Sequence, residues 1–249
     1  MKLSSKKIVL SSGSSSLGKE LLPMLLAEGA LVVVGDSNPE EIPNHPNLQK
    51  YKIDASKPDQ MERLIESAIE TLDKIDVFIL NSEQITYAED ENDDWNQLKT
   101  LFHSNTLSPI RTVQRLTNLI SVGLHIIFVS SDITKYPTPG FGLYGSSKSA
   151  LDYFWDSYRK QVGREFRFSR VIALEPKQSD PKRLAKSVLC SVVRPKNKRF
   201  EHFSQRGNRF LFKFFPFLYF FRTLAYCFRL KQEKKKKISL DETNLFIEN

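Results

Sequence analysis

A chain of 249 residues is long enough for one α/β domain with a substantial core, and 40% hydrophobic with 27% charged residues excludes a disordered or fibrous chain. Two cysteines, Cys190 and Cys227, exclude a disulfide framework and suit a reducing compartment, and the apolar part of MKLSSKKIVL is too short for a secretory signal. The formal charge of +8 is uneven: Arg194 to Lys237 holds 14 Lys/Arg against two Glu, a net of +12, which leaves −4 on the rest.

Strand and helix signals alternate along the chain, which predicts an α/β fold with a doubly wound parallel sheet and crossover helices. Lys7–Ser11 (KIVLS) reads as the first strand, followed by a Gly/Ser loop and a helix over Gly18–Glu28. Ala30–Gly35 is a second buried strand that closes on Asp36. Asn38–Asn47 is a Pro/Asn-rich loop and Leu48–Ile53 a third strand. Pro58–Leu72 has helical spacing, Val77–Leu80 is a fourth strand, and the acidic Glu89–Asp94 is a solvated loop. One long helix is predicted over Trp95–Ile120 and a fifth strand over Leu124–Ser130. The helix over Tyr144–Val162 carries Leu151, Phe154, Trp155 and Tyr158 at core spacing. A sixth strand, Arg170–Leu174, and a helix over Pro181–Val192 capped by Asp180 complete the series. The expected organisation is a domain over 1–205, a basic Phe-rich tail over 206–237 and a flexible end over 238–249.

The loop after the first strand reads Ser11-Ser12-Gly13-Ser14-Ser15-Ser16-Leu17-Gly18. A dinucleotide needs backbone N–H groups at a helix N-terminus to meet its pyrophosphate, and glycines allow close approach. Asp36 at the end of the second strand can hydrogen-bond ribose hydroxyls and would repel a 2′-phosphate, which favours NAD over NADP. Further on, Tyr144 and Lys148 stand four apart on one face of a helix. The lysine charge would lower the tyrosine pKa, and such a tyrosine can exchange a proton with a carbonyl or alcohol during hydride transfer. Ser131 leaves the end of the fifth strand and could hold the substrate oxygen. His45, His103, His125 and His202 are scattered without ligand spacing, so no metal is expected.

Together these residues resemble the short-chain dehydrogenase/reductase family over about Lys7 to Phe200, and IIFVSSDITKYPTPGFGLYGSSKSAL reads like its strand–loop–helix active site. The resemblance implies a Rossmann-type fold and an Asn–Ser–Tyr–Lys tetrad at Asn105, Ser131, Tyr144 and Lys148. Asn105 would hold a water in the proton path to Lys148. Ser12, Gly13, Ser16, Leu17, Gly18, Asp36, Asp54, Asn81, Tyr144 and Lys148 would contact NAD or NADP, with Asp54 near the adenine ring. Three departures stand out. Ser12 and Ser16 replace the first two glycines of Thr-Gly-x-x-x-Gly-x-Gly, and a serine at a position needing positive φ costs on the order of 1 kcal/mol or more. Asn-Asn-Ala-Gly has become Leu80-Asn81-Ser82-Glu83. The substrate loop after the sixth strand is nearly absent: Pro176-Lys177-Gln178-Ser179 runs straight to the next helix.

From Phe200 to Phe228 the chain holds ten of its 18 phenylalanines. As a helix from Pro216 on, Phe217, Phe220, Phe221, Leu224 and Phe228 share one face, and Lys234–Lys237 add a basic cluster. This pattern predicts an amphipathic aromatic helix on an anionic membrane surface, or a helix packed on the domain or a partner copy. Nucleic acid fits less well, because the aromatics form one face instead of separate stacking platforms. The expected function is an NAD(P)-dependent oxidoreductase that interconverts a ketone and a secondary alcohol on a lipophilic substrate, a long-chain keto-lipid or a steroid-like molecule. It would work at the cytoplasmic side of an intracellular membrane, the endoplasmic reticulum being one candidate, and could form a homodimer. The alternative is a non-catalytic, membrane-attached scaffold with the same fold.

Overall fold

The computed structural model describes residues 3–81, 95–120, 123–135, 138, 140–174, 176 and 178–201. The expected tail (206–237), the flexible end, the acidic loop, Ser82, Glu83 and Lys177 lie outside the described residues.

The strands are β1 (Lys7–Ser11), β2 (Leu31–Asp36), β3 (Leu48–Lys52), β4 (Val77–Leu80), β5 (His125–Ser131), β6 (Arg167–Ala173) and β7 (Lys198–Phe200). They form one sheet in the order β3-β2-β1-β4-β5-β6-β7, with every pairing parallel. The helices are α1 (Ser16–Ala27), α2 (Pro58–Leu72), α3 (Trp95–Phe102), α4 (Ser108–Leu119), α5 (Gly142–Gln161) and α6 (Pro181–Val193). The expected doubly wound sheet is therefore present.

The near-continuous apolar runs of the central strands arise because both faces of the sheet are covered. Side chains alternate along a strand, so consecutive residues serve different cores. Ile8, Leu10, Val32, Val34, Ile79 and Ile127 pack with Leu21 and Leu25 of α1 and Leu184 and Val188 of α6. Val9, Val33, Phe78, Ile126 and Phe128 pack on the other face with Met61 and Leu64 of α2, Val113 and Leu116 of α4, and Leu151 and Trp155 of α5. Each fully buried Leu or Ile contributes about 1.5–3 kcal/mol, which outweighs the local preferences of short elements.

Three expectations need correction. The predicted helix over Trp95–Ile120 is broken: His103–Leu107 forms a π-helical turn between α3 and α4. Its wider turn inserts an extra residue into the helical ladder, a deformation that apolar spacing does not encode. A seventh strand, β7, was not anticipated. Its sequence, KRF, has no apolar run, and it joins the sheet edge by register: Arg170, Val171 and Ile172 face Lys198, Arg199 and Phe200. β6 also begins at Arg167, earlier than expected, because Phe168 is buried against Trp155. The predicted cap is present: the Asp180 side chain accepts from the amides of Lys182 and Arg183.

One buried titratable group sets an acid limit. His125 at the start of β5 shares a 2.8 Å hydrogen bond with Ser169. Burial, followed by the charges of Arg167 and Lys6, pushes its pKa from 6.5 down to about 4. Between those values the unfolded chain binds a proton that the folded chain refuses. The associated stability is thus complete above 6.5 and lost as the pH falls through the window, by about 3 kcal/mol in all. Urea unfolding at pH 7 and pH 4.5 should show His125→Gln losing less stability than the wild type over this range. Equal losses would contradict this role.

Candidate active site

The C-terminal edge of the parallel strands carries the candidate residues, at the crevice where α/β folds receive ligands. β1 ends in Ser11 and the chain turns sharply into α1. Ser12 has φ +62°, so the first glycine position of the family motif does need the left-handed region here. Its amide donates to the Gly35 carbonyl at 2.7 Å, which fixes the turn to β2. Ser16 is different: it is the exposed first residue of α1 and has no positive φ. The strain foreseen for both serines therefore falls on Ser12 alone. Ser12→Gly should stabilise the protein by about 1 kcal/mol, the left-handed penalty less the added freedom of the unfolded chain. Chemical denaturation measures this, and a destabilised variant would refute it.

Gly18 permits the tight passage into α1. A Cβ there would lie 2.4 Å from the Gly13 carbonyl oxygen and 2.5 Å from that of Ser12. Ser15 caps the helix, its hydroxyl accepting from the Gly18 amide at 3.0 Å and donating to the Ser12 carbonyl at 2.8 Å. Asn81, at the end of β4, braces this turn. Its side-chain amide donates to Ser15 Oγ at 2.8 Å and to the Ser12 carbonyl at 3.1 Å, and its backbone amide donates to Ser11 Oγ at 2.8 Å. The side chains of Ser11, Ser15 and Asn81 therefore hold the loop through a hydrogen-bond network that includes the Ser12 carbonyl.

A cleft of about 370 Å³ runs along this loop, with Ser12, Ser16, Leu17, Asp36, Asn81 and Tyr144 among its walls. Gly13 and Gly18 stand buried behind the wall. Asp54 is not part of the wall. It organises the turn into α2, accepting from the Ser56 amide at 2.9 Å and the Ser56 hydroxyl at 2.6 Å and pairing with Lys57 at 3.8 Å. Burial acts to raise its pKa, but these hydrogen bonds and the Lys57 charge outweigh it and leave the carboxyl below 3.8.

Tyr144 and Lys148 occupy the first turns of α5, 1% and 2% exposed. Lys148 Nζ lies 5.8 Å from the centre of the Tyr144 ring and donates to the Val129 carbonyl at 3.4 Å. Its charge is therefore held beside the tyrosine ring. Ser131 donates to the Leu174 carbonyl at 3.5 Å and accepts from the Ile133 amide at 3.4 Å. Both contacts are long and weak, which leaves the hydroxyl able to take a better partner. Asn105 sits in the π turn, fully buried, and its side-chain amide donates to Ser147 Oγ at 3.1 Å, one residue from Lys148. Thr106 also donates to the Ser147 carbonyl at 2.8 Å. The unforeseen π turn is thus the element that docks Asn105 against the tyrosine–lysine helix.

Two supporting groups left no sequence signal. Glu201, 7% exposed, gathers the short connection from β6 to α6. Its carboxylate accepts from the Leu174 amide at 2.8 Å, the Ser179 hydroxyl at 2.8 Å and the Asp180 amide at 2.7 Å. Beneath the site, Arg170 on β6 reaches Asp152 at 3.1 Å and Asp156 at 3.0 Å on α5. Asp152 also accepts from Ser130 at 2.7 Å and Thr134 at 3.0 Å. This cluster ties α5 to β5 and β6. Among the described residues no group of three or more His, Cys, Asp or Glu could hold a metal ion.

The family model for short chain dehydrogenases matches residues 6–182, which spans the serine loop, Asn105, Ser131, Tyr144 and Lys148. The chain belongs to this family. As a short-chain dehydrogenase/reductase it is an oxidoreductase of the CH–OH/C=O type that uses a nicotinamide cofactor. It is similar to an uncharacterised oxidoreductase of Staphylococcus saprophyticus, 26% identical over 174 residues, covering 63% of this chain and 67% of the relative. It is also similar to the 3-oxoacyl-[acyl-carrier-protein] reductase of Thermotoga maritima, 23% identical over 189 residues, or 69% of this chain and 74% of that one. Among solved structures, a short chain dehydrogenase/reductase from Burkholderia phymatum in complex with NAD superposes with a TM-score of 0.72 at 13% identity, covering 84% of this chain and 92% of its own.

The residues present fit such a cofactor. Ser12, Ser14, Ser15 and Ser16 line the cleft where the chain enters α1, and Asp36 stands at the end of β2 in the same wall. Tyr144 lies in that wall as well.

Proposed function

We propose that the chain interconverts a ketone and a secondary alcohol on a lipophilic substrate, with NAD preferred over NADP. The observation that carries this reading is the single cleft that joins the serine loop and Asp36 to Tyr144, with Lys148 fixed behind the tyrosine. The cofactor, when bound, gives or takes the hydride. Tyr144 gives or takes the proton at its phenolic oxygen, Lys148 holds positive charge beside it, and Ser131 steadies the substrate oxygen. Asn105, anchored on Ser147, supports the proton path to Lys148.

A keto-lipid is favoured on two grounds. The relative from Thermotoga maritima carries the name of a 3-oxoacyl reductase, and the connection from β6 to α6 is short. A site with little covering chain suits a substrate whose long apolar portion lies elsewhere, such as a membrane. The Phe-rich, lysine-flanked sequence after Phe200 supports docking on an anionic membrane surface, on the cytoplasmic side of an intracellular membrane such as the endoplasmic reticulum. Trp95 on α3 and Tyr153 on α5 are 64% and 81% exposed, which supports pairing of two copies through these helices.

The test has two parts. NADH consumption is followed with long-chain 3-oxoacyl thioesters, steroid ketones and short water-soluble ketones, and the full chain is floated with neutral or anionic vesicles. Turnover confined to the long or steroid ketones, with flotation on anionic vesicles only, is expected. Preference for short ketones would refute the substrate class, and absence from both vesicle types would refute the membrane reading.

A further inference from the structure

The carboxylate that favours NAD is already engaged within the protein. Ser14 donates to Asp36 twice: its backbone amide to Oδ2 at 2.7 Å and its hydroxyl to Oδ1 at 2.8 Å. The Asn38 amide donates to Oδ1 at 2.8 Å. Asp36 is left only 2% exposed. A ribose would present two neighbouring hydroxyls to the two oxygens of one carboxylate. Ser14 presents a hydroxyl and an amide to the same two oxygens, from the wall of the same cleft.

Resting on the NAD preference above, we propose that Ser14 is an internal occupant of the adenosine-ribose seat, a specificity-determining residue whose hydroxyl must leave Asp36 before ribose can bind there. A carboxylate offers about four acceptor positions, and three are filled by Ser14 and Asn38. Two ribose hydroxyls therefore need a position that Ser14 holds. The hydroxyl can leave by rotation about one side-chain bond. The loop is anchored on either side of Ser14, by Asn81 on Ser12 and Ser15, and by the Ser14 amide itself. Release therefore costs one charge-assisted hydrogen bond and no movement of the backbone. The penalty falls on a ribose hydroxyl alone. A 2′-phosphate is repelled by Asp36 whether or not the serine hydroxyl is present, so Ser14 narrows the gap between NAD and NADP.

The experiment is a titration of the purified full chain with NADH and with NADPH, read by nicotinamide fluorescence, for wild type, Ser14→Ala, Ser14→Gly and Ser14→Thr. Melting curves check that each variant is folded. The Ala and Gly variants keep the amide bond to Asp36 and lose the hydroxyl. Both should bind NADH about 10- to 100-fold more tightly than wild type, the usual value of one hydrogen bond to a charged group, with NADPH affinity unchanged. Ser14→Thr, which keeps a hydroxyl, should behave as wild type. NADH affinity that is unchanged or weaker in the Ala and Gly variants would overturn this role for Ser14 while leaving the cofactor reading intact. No binding of NADH by any variant at millimolar concentration would overturn the cofactor reading, and this role with it.

Discussion

Replacing Tyr144 with phenylalanine should lower kcat for a carbonyl substrate by 10²- to 10⁴-fold, the usual contribution of a positioned acid/base group. The ring itself would stay: it is 1% exposed, packs edge-on against Phe141 at 6.4 Å and sits beside the Lys148 ammonium. Only the proton donor is removed, so NADH affinity and melting temperature should remain close to wild type. Steady-state kinetics with NADH and the best ketone measures the effect. A loss below tenfold would mean that another group supplies the proton. In cells, survival of function in this variant would instead favour a scaffold that has kept the fold without its chemistry.

Arg170→Ala should destabilise the protein by about 3–5 kcal/mol, among the largest losses expected from any single change here. The guanidinium is 0% exposed and pairs with two carboxylates of α5. Asp152, 3% exposed, would remain with Ser130, Thr134 and the half-exposed Lys135 as its partners, the last at 3.3 Å. Asp156 would change as well. Burial acts to raise its pKa, and the Arg170 charge is the leading cause that holds it below 3.8, so its carboxyl should move upward in the variant. Urea unfolding followed by circular dichroism measures the stability. A cost under 1 kcal/mol would show that the pair is replaceable by water. Replacing Asp152 by leucine together with Arg170 by methionine should recover most of the loss, because the buried charge is then removed with its partner.

Much of this architecture was legible in the sequence because it follows from local chemistry. The runs IVL, LVVV and VFIL could only be buried strands, and the spacing of Met61, Leu64, Ile65 and Ala68 could only be a core-facing helix. Asp180 announced the start of α6 by its capping chemistry. The tyrosine and lysine were legible because four residues is one helical turn. What stayed hidden depends on contacts made across the sheet. β7 is a strand because β6 offers it an edge, and nothing in KRF says so. The π turn that carries Asn105 results from docking against Ser147, a partner 42 residues away. Glu201 belongs to no motif or spacing, yet its carboxylate holds the connection from β6 to α6. The serine loop was read as a weakened glycine loop. The structure gives each serine its own position: Ser12 bears the positive φ, Ser15 caps the helix and Ser14 binds Asp36.

The account turns on whether the serine-lined cleft holds a nicotinamide dinucleotide, and calorimetric titration of the purified full chain with NADH and NADPH tests that most directly. Saturable binding of NADH, weaker for NADPH, is the expected result and would place Asp36 at the ribose. Absence of binding heat for either up to millimolar concentration would contradict the account, and would mean that Ser12 and Ser16 have closed the loop to its cofactor.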